Sequence, residues 1–232
     1  MEFVTGQVLS ILKDKSVENL YHANTVVTSC HFLRKSALLS RGTIERLGLY
    51  QTPQSSDEID KKEGIWFDIF VDTDDIHSRA SRNNEYGPVM FVMDSSIVEG
   101  TDACRIWVTK LNPTKWSGKS EDEIWFKDKT DLQANLVKGR FDQMILFRHC
   151  GGEIPFKNFL KKIVIDDPSQ KTSDGADLFS MAVGAIRLAS LDSGLMIPIE
   201  RRHCSSSCNC KSYYNRDIQR TLTMFDPRKS LL

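Results

Sequence analysis

A tyrosine and a histidine stand side by side near the start of the chain, at Tyr21 and His22. The apolar residues around them predict the end of a β-strand, which would hold both side chains on a rigid element. Either ring nitrogen of a histidine can hydrogen-bond a hydroxyl group of a bound ligand. The alternative is a histidine satisfied within the fold, and on this pair of residues alone the structural role is favoured.

A second group of candidates lies in the polar segment 73–85, TDDIHSRASRNNE, between two apolar runs. His77, Arg79 and Arg82 fall within it, and Tyr86 follows it directly. Guanidinium groups suit a pyrophosphate, and a tyrosine can stack on a planar ring. The alternative is an ordinary solvated loop whose ends are fixed by the flanking apolar runs.

The third candidate is a cysteine-rich stretch towards the C-terminus. It carries four residues that could hold a tetrahedral zinc ion, namely His203, Cys204, Cys208 and Cys210. Their spacing is irregular, and no second Cys-x-x-Cys pair follows. A flexible tail with reduced thiols is therefore favoured, and no metal is assigned.

Basic and aromatic residues alternate around these cysteines. Positive charge and ring stacking together suit a single-stranded nucleic acid. The candidates for such a contact are Arg201, Arg202, Lys211, Tyr213 and Tyr214. The alternative is a solvated surface.

Several common catalytic motifs do not occur in the sequence. It has no GxxxxGK[ST] phosphate loop, no GxGxxG turn, no GxSxG elbow and no HExxH helix. Simple nucleotide triphosphatases, Rossmann oxidoreductases, serine hydrolases and zinc proteases therefore have no support.

Length and charge set further bounds. The chain has 232 residues, enough for one substantial core, and its 31 basic residues balance 31 acidic ones. A local basic groove would be hidden in that balance. The charged N-terminus and the lack of a long apolar run predict a soluble, cytoplasmic protein with no membrane partner. We expect a single domain over 1–232, with a core at 1–165 and a C-terminal helix and basic, cysteine-rich tail at 166–232.

The hydrophobic pattern predicts an α+β fold, with helices early and late and five or six strands in the middle. Helices are predicted over 2–13, 26–39, 130–139 and 175–191, with a short one opened by Pro155. Strands are predicted at 20–23, 65–72, 89–93, 106–108, 124–126, 145–147 and 163–165. Segment 43–63 is predicted to be a long loop that covers a cleft, and the tail after Pro198 shows no clear period.

Three segments together resemble the ADP-ribosyltransferase superfamily, in particular the DarT-like bacterial toxins that ADP-ribosylate nucleic acid. They are LYHANTVVTSCHFLRKSALLSRG, DIFVDTDDIHSRASRNNEYGPVMFVMD and FDQMILFRHCGGEIPFKNFLKKIVID, within 19–165. The likeness lies in the order of a strand-end histidine, a Leu-Leu helix exit, an Arg/Asn-bearing loop and an aliphatic strand. It implies a split, twisted sheet flanked by helices, with an NAD cleft between its halves.

The resemblance also implies roles for individual residues. Those that would contact NAD are Tyr21, His22, Ala23, His77 and Tyr86. Among them His22 would bind the ribose, while Tyr21 and Ala23 support the nicotinamide. Arg79 or Arg82 would match the family's loop arginine, which orients substrate and phosphate.

Gln143 falls where the family has its catalytic glutamate, and this is the main departure. A carboxylate there stabilises an oxocarbenium-like state by charge, whereas an amide keeps only the hydrogen bonds. Three explanations are open: an engineered Glu-to-Gln inactivation, a naturally inactive homologue, or a role filled by Asp142 or Glu153. The first is favoured, because a fully active toxin would be hard to express.

The resulting hypothesis is a toxin-like transferase that moves ADP-ribose from its substrate NAD to a DNA or RNA base. An antitoxin is a candidate partner, and phage defence a candidate setting. One rival is an NAD-independent ribonuclease that uses His22, His77 and Arg82 as acid, base and phosphate clamp. The other is a non-catalytic module that binds nucleic acid or a partner protein.

Overall fold

The computed structural model describes residues 2–78, 85–100, 105–205 and 207–228. The helices in these ranges are α1 (Thr5–Asp14), α2 (Val26–Arg34), α3 (Arg41–Arg46), α4 (Asp57–Lys62), α5 (Glu121–Ile124), α6 (Lys129–Asn135), α7 (Leu178–Asp192), α8 (Asn209–Arg216) and α9 (Ile218–Phe225). The strands are β1 (Asn19–Asn24), β2 (Ala37–Leu39), β3 (Ile69–Val71), β4 (Val89–Asp94), β5 (Arg105–Val108), β6 (Ile145–Arg148), β7 (Glu153–Pro155), β8 (Leu160–Asp167) and β9 (Ile199–His203). This mixture confirms the predicted α+β class.

The strands form a sheet ordered β1-β4-β8-β9, a second sheet ordered β3-β6-β5, and a β2-β7 pair. Neighbouring strands run antiparallel except β8 and β9, which are parallel. Tyr21 and Asp72 exchange two backbone hydrogen bonds, of 3.0 and 2.9 Å. Strand β1 therefore lies beside β3, although the two belong to different sheets.

The central strands are buried on both faces, as their unbroken apolar sequences indicate. In β4, Val89, Phe91 and Met93 enter the main hydrophobic cluster, while the two side chains between them face a smaller one. The main cluster includes Phe3 near the N-terminus and Phe225 in α9. The first and last parts of the described chain thus pack on the same apolar interior.

Most of the long elements agree with the sequence pattern. The structure confirms the strands predicted around 20–23, 89–93, 106–108, 145–147 and 163–165, and the helices within 2–13, 130–139 and 175–191. The predicted strand 65–72 is shorter and is limited to β3. No helix within the described ranges is long and apolar enough to span a membrane.

Short elements account for the errors. The helix predicted over 26–39 ends at Arg34, because Ser36 takes a φ of 51° and the chain continues as β2. Pro155 ends β7 instead of opening a helix. The strand predicted at 124–126 is reduced to a single antiparallel bridge between Trp125 and Thr109, because Ile124 ends α5. Pairing with distant strands determines the conformation of these segments, and that pairing cannot be read from their local sequence.

Two regions predicted to be irregular contain regular structure. Segment 43–63 includes most of α3 and all of α4, and Ser40 caps α3 by accepting a hydrogen bond of 3.1 Å from the Thr43 N–H. The tail after Pro198 forms β9, α8 and α9. The prediction that these two regions are irregular is therefore wrong.

Candidate functional site

A cavity of about 720 Å³ lies beside β1, with walls from distant parts of the chain. This volume is typical of a small-molecule site. Its lining includes four of the predicted NAD contacts, Tyr21, His22, Ala23 and Tyr86. Arg41 and the segment 51–60 form another wall, and the C-terminal helices add Tyr213 and Arg220.

His22 is held in this cavity by one hydrogen bond and by aromatic packing. Its Nδ1 lies 2.8 Å from the carbonyl oxygen of Phe70, so Nδ1–H donates and Nε2 keeps its lone pair. Phe32 packs against the ring with centroids 5.6 Å apart. Burial lowers the pKa of His22 and keeps the ring neutral. Nε2 is buried and has no hydrogen-bond partner within the described residues, which leaves an unused acceptor at the cavity wall.

Arg41 is the first residue of α3 and lines the same cavity. Its Nε lies 2.5 Å from Asp57 Oδ1, and its Nη2 donates to the Thr52 carbonyl oxygen at 3.1 Å. The guanidinium carbon lies 5.5 Å from the centroid of the Trp66 ring. Nη1 is buried without a hydrogen-bond partner in the described part of the chain. Arg41 is therefore fixed in place with one donor group left for an anion.

Carboxyl groups line the cavity as well. Burial raises the pKa of both Asp60 and Asp68 to about 6. Asp68 also pairs with Arg148, with 2.8 Å between Oδ2 and Nε. Asp68 lies directly before β3 and Asp72 directly after it, and both line the cavity together with Phe70. Two carboxyl groups therefore flank the residue that holds His22.

Gln143 does not lie where the sequence places it. Its Oε1 accepts a hydrogen bond of 2.7 Å from the Val137 N–H, and its Nε2 donates to the Asn135 carbonyl oxygen at 3.0 Å. The residue is 3% exposed, and Phe141 and Met144 line the cavity in its place. The amide satisfies backbone hydrogen-bonding groups that have no helical partner at the end of α6. The expectation that Gln143 faces His22 across the cavity is therefore wrong.

The two carboxylates considered as substitutes are elsewhere too. Both Asp142 oxygens accept hydrogen bonds of 2.8 Å from Lys115 Nζ. Glu153 is exposed on β7. Neither belongs to the cavity lining.

His77 belongs to a separate polar group, which we name the Asp166 centre. Asp166 is fully buried, with His77 Nε2 at 3.1 Å from its Oδ2. The Tyr214 hydroxyl donates to the same oxygen at 2.7 Å, and Arg202 Nη1 donates to the other at 3.2 Å. These contacts give all three side chains partners within the chain. The NAD contact expected at His77 and the nucleic-acid contacts expected at Arg202 and Tyr214 stay predictions.

The remaining nucleic-acid candidates are divided between surface and cavity. Arg201 pairs with Asp167 at 2.5 Å and lies over the Phe179 ring. Lys211 is partly exposed, and Tyr213 lines the cavity. The five residues thus do not form one surface.

Arg79 and Arg82 lie outside the described residues. The roles that the resemblance implies for them stay predictions.

The cysteines of the C-terminal segment gather next to the Asp166 centre. Cys210 Sγ lies 3.7 Å from His77 Nε2, and Cys208 Sγ lies 4.0 Å from His77 Nδ1. Cys204 is 8% exposed and lies with His77 and Asp166 in a second group of possible ligand atoms. His203 is exposed instead, and its Nδ1 is 3.9 Å from Asp167 Oδ2. This cluster differs from the four possible ligands noted in the sequence, to which no metal was assigned, because it contains His77 in place of His203.

The fold of this chain, with its three sheets and the cavity beside β1, is similar to that of a solved DarT structure. The solved structure of DarT from Thermus sp. 2.9 in complex with ADP-ribosylated ssDNA matches this fold with a TM-score of 0.50. The match covers 81% of this chain and 95% of that chain, at 10% sequence identity. It confirms the fold that the three sequence segments predict. No protein-family model and no curated protein sequence matches the chain.

Sequence reasoning missed Arg41 and the carboxyl groups of the cavity. A local signal for Arg41 existed, since Leu-Leu-Ser-Arg-Gly sets an arginine directly after a helix-capping serine. Asp60, Asp68 and Asp72 gave no such signal. They meet only through the packing of α4 and β3 around the cavity.

Proposed function

We propose that the chain is a DarT-like enzyme that transfers ADP-ribose from NAD to a base of single-stranded DNA. The observation that carries the proposal is the unused Nε2 acceptor of His22, buried at the wall of the large cavity in this fold. A buried acceptor without a partner costs stability unless a ligand satisfies it. A ribose hydroxyl is the donor that the proposal places there.

The dinucleotide's pyrophosphate is assigned to Arg41. Its Nη1 is the buried donor without a partner, and the bond to Asp57 holds the guanidinium in position. Tyr86 and Tyr213 supply flat side chains for the nicotinamide or adenine ring. These groups would bind and orient NAD before any bond is broken.

The chemical step cleaves the N-glycosidic bond between ribose and nicotinamide. Positive charge develops on the ribose as the nicotinamide leaves, and a nitrogen of the acceptor base then bonds to the anomeric carbon. Asp68 and Asp72 flank Phe70 on the cavity face, where a carboxylate would stabilise that charge. A carboxylate there also offers an acceptor for the proton that the base loses.

This assignment changes the interpretation of Gln143 as an inactivating substitution. Because its amide is bonded to Asn135 and Val137, an inactivating Glu-to-Gln exchange finds no support in its contacts. We therefore propose that the chain is competent for transfer with Gln143 as it stands.

The test incubates the wild-type protein with labelled NAD and separate pools of single-stranded DNA, duplex DNA, RNA and protein. We expect label on single-stranded DNA and a higher Tm in the presence of NAD. Arg41→Gln should lower both signals. The matched control is Arg46→Gln, since Arg46 is an exposed arginine of the same helix, bonded to the Gly151 carbonyl oxygen.

The rivals predict different results in the same assay. Cleavage of RNA without NAD would identify a ribonuclease. Salt-dependent binding of nucleic acid with no effect of NAD on Tm would identify a binding module. Either result would overturn the proposal.

A further inference from the structure

We infer that His77, Cys204, Cys208 and Cys210 form a structural zinc site that holds the C-terminal segment against the Asp166 centre. The inference is independent of the proposed transferase activity. It rests on two groups of ligand atoms that share His77, one with Cys208 and Cys210 and one with Asp166 and Cys204. Within each group all atoms lie within 4.8 Å of one another.

The two sulfur atoms lie close to the spacing of a tetrahedral zinc site, each beside a different nitrogen of His77. Zinc bonds of about 2.3 Å to sulfur and 2.0 Å to nitrogen place the sulfur and nitrogen ligands about 3.6 Å apart. The observed separations of His77 nitrogens from sulfur are 3.7 Å to Cys210 and 4.0 Å to Cys208. Cys208 faces Nδ1 and Cys210 faces Nε2, so binding at Nδ1 requires a rotation of the Cys210 side chain towards the metal.

Asp166 orients the histidine for this role. His77 Nε2–H donates to the buried Asp166 carboxylate at 3.1 Å, which leaves the Nδ1 lone pair on the side of Cys208. Zinc-bound histidines commonly use a carboxylate in this way to fix the ring. Asp166 itself already accepts from Tyr214 and Arg202, so we assign it to orientation and not to the metal.

The three cysteines are placed for a soft metal ion. Cys204 and Cys210 are buried within the main hydrophobic cluster, and Cys208 is the residue directly before α8. Three thiolates and one imidazole favour zinc over magnesium or calcium. Each thiol releases its proton when the metal binds.

Metal binding would tie the C-terminal segment to the chain just after β3. His77 belongs to the short turn Ile76–Ser78 that follows β3, while Cys208 and Cys210 lie at the start of α8, which also carries Tyr213 of the cavity lining. Zinc would join these two segments.

The test measures zinc in the full-length protein purified under reducing conditions, together with the absorption of the cobalt-substituted form. We expect about one zinc per chain and a thiolate-to-cobalt charge-transfer band. In His77→Ala the zinc content should fall below about one fifth of the wild-type value. His203→Ala is the matched control and should keep its zinc, because that histidine is exposed and apart from the cluster.

Thiol labelling keeps the inference testable if a variant fails to fold. In the wild-type protein a chelator should make Cys204, Cys208 and Cys210 reactive to an alkylating reagent, and added zinc should protect them again. Thiols that a reductant releases and a chelator does not would indicate a disulfide and overturn the inference. Protein without zinc that also gives no cobalt charge-transfer band would overturn it too.

Discussion

The cavity around His22 and the Asp166 centre are both polar and partly or fully buried, but they differ in how their polar atoms are satisfied. In the cavity, His22 Nε2 and Arg41 Nη1 have no hydrogen-bond partner within the described chain. At the centre, Asp166 accepts from His77, Arg202 and Tyr214. Since an unsatisfied buried group costs free energy, the contrast separates a site prepared for a ligand from one that holds the fold.

The same contrast explains why residue type alone misleads. By residue type, His22 and His77 both suit NAD binding or an acid-base role. Their partners differ: a single backbone carbonyl for His22, and a buried carboxylate for His77. The second ring nitrogen also differs: Nε2 of His22 has no partner among the described residues, whereas Nδ1 of His77 lies 4.0 Å from Cys208 Sγ. Only the folded structure shows this difference.

The largest effect should come from breaking the Asp166 centre. Asp166→Ala leaves the Tyr214 hydroxyl buried without its acceptor and leaves Arg202 with Asp75 as its remaining carboxylate partner, so the free energy of unfolding should fall by about 3–5 kcal/mol. Asp142→Ala is the control, because its pair with Lys115 is partly exposed and is expected to contribute less than about 1 kcal/mol. Urea unfolding of the wild-type protein and the two variants measures both changes in the free energy of unfolding. Equal decreases in the two variants would contradict the structural role assigned to the Asp166 centre.

A smaller effect, on binding, should come from the cavity histidine. His22→Ala removes the acceptor for the ribose hydroxyl, so the Kd for NAD should rise about tenfold, as expected for the loss of one hydrogen bond. His31→Ala is the matched control, since His31 also has a buried Nε2 without a described partner but does not line the cavity. Isothermal titration of both variants with NAD shows whether the position of the histidine in the cavity, and not the burial of its ring alone, determines the Kd.

The comparison also predicts the effect of substituting Gln143. Gln143→Glu replaces the Nε2 donor to the Asn135 carbonyl with a carboxylate oxygen, so the free energy of unfolding should fall by about 1–2 kcal/mol. Transfer of label from NAD should not increase. A clear gain of transferase activity would instead support the position that the sequence resemblance gives to residue 143.

The smallest effect is a dependence of NAD binding on pH. The pKa of Asp60 and of Asp68 is about 6, so both carboxyl groups gain protons between pH 7.5 and 5.5. Loss of their negative charge reduces repulsion of the pyrophosphate, and NAD should bind a few-fold more tightly at pH 5.5. Asp60→Asn should weaken this dependence, which titrations at the two pH values measure. Tighter binding at the higher pH would contradict the placement of the pyrophosphate near Asp60.

Much of the fold was accessible from the sequence, because strands such as β4 and β6 are unbroken apolar runs bounded by polar residues. The order of the segments also sufficed to predict the ADP-ribosyltransferase fold. The side-chain directions were not accessible: Met144 lines the cavity and Gln143 turns away from it. A shift of one residue reverses such a direction, and neither composition nor spacing records it.

The C-terminal segment was the least predictable part. His203 stands beside Cys204 in sequence, yet His77, more than a hundred residues earlier, occupies the place next to the thiols. Contacts of this kind depend on the parallel pairing that brings β9 to β8. The local spacing of residues therefore indicates a set of possible metal ligands but does not identify which histidine belongs to it.

The parallel pairing of β8 with β9 has a consequence for synthesis. During translation β8 emerges well before its neighbour, and the whole of α7 must follow before β9 can cover it. Until then the strand exposes unpaired amide and carbonyl groups, the kind of edge on which nascent chains associate. A ribosome stalled before residue 199 should therefore hold an aggregation-prone intermediate, and one stalled well past residue 203 should not.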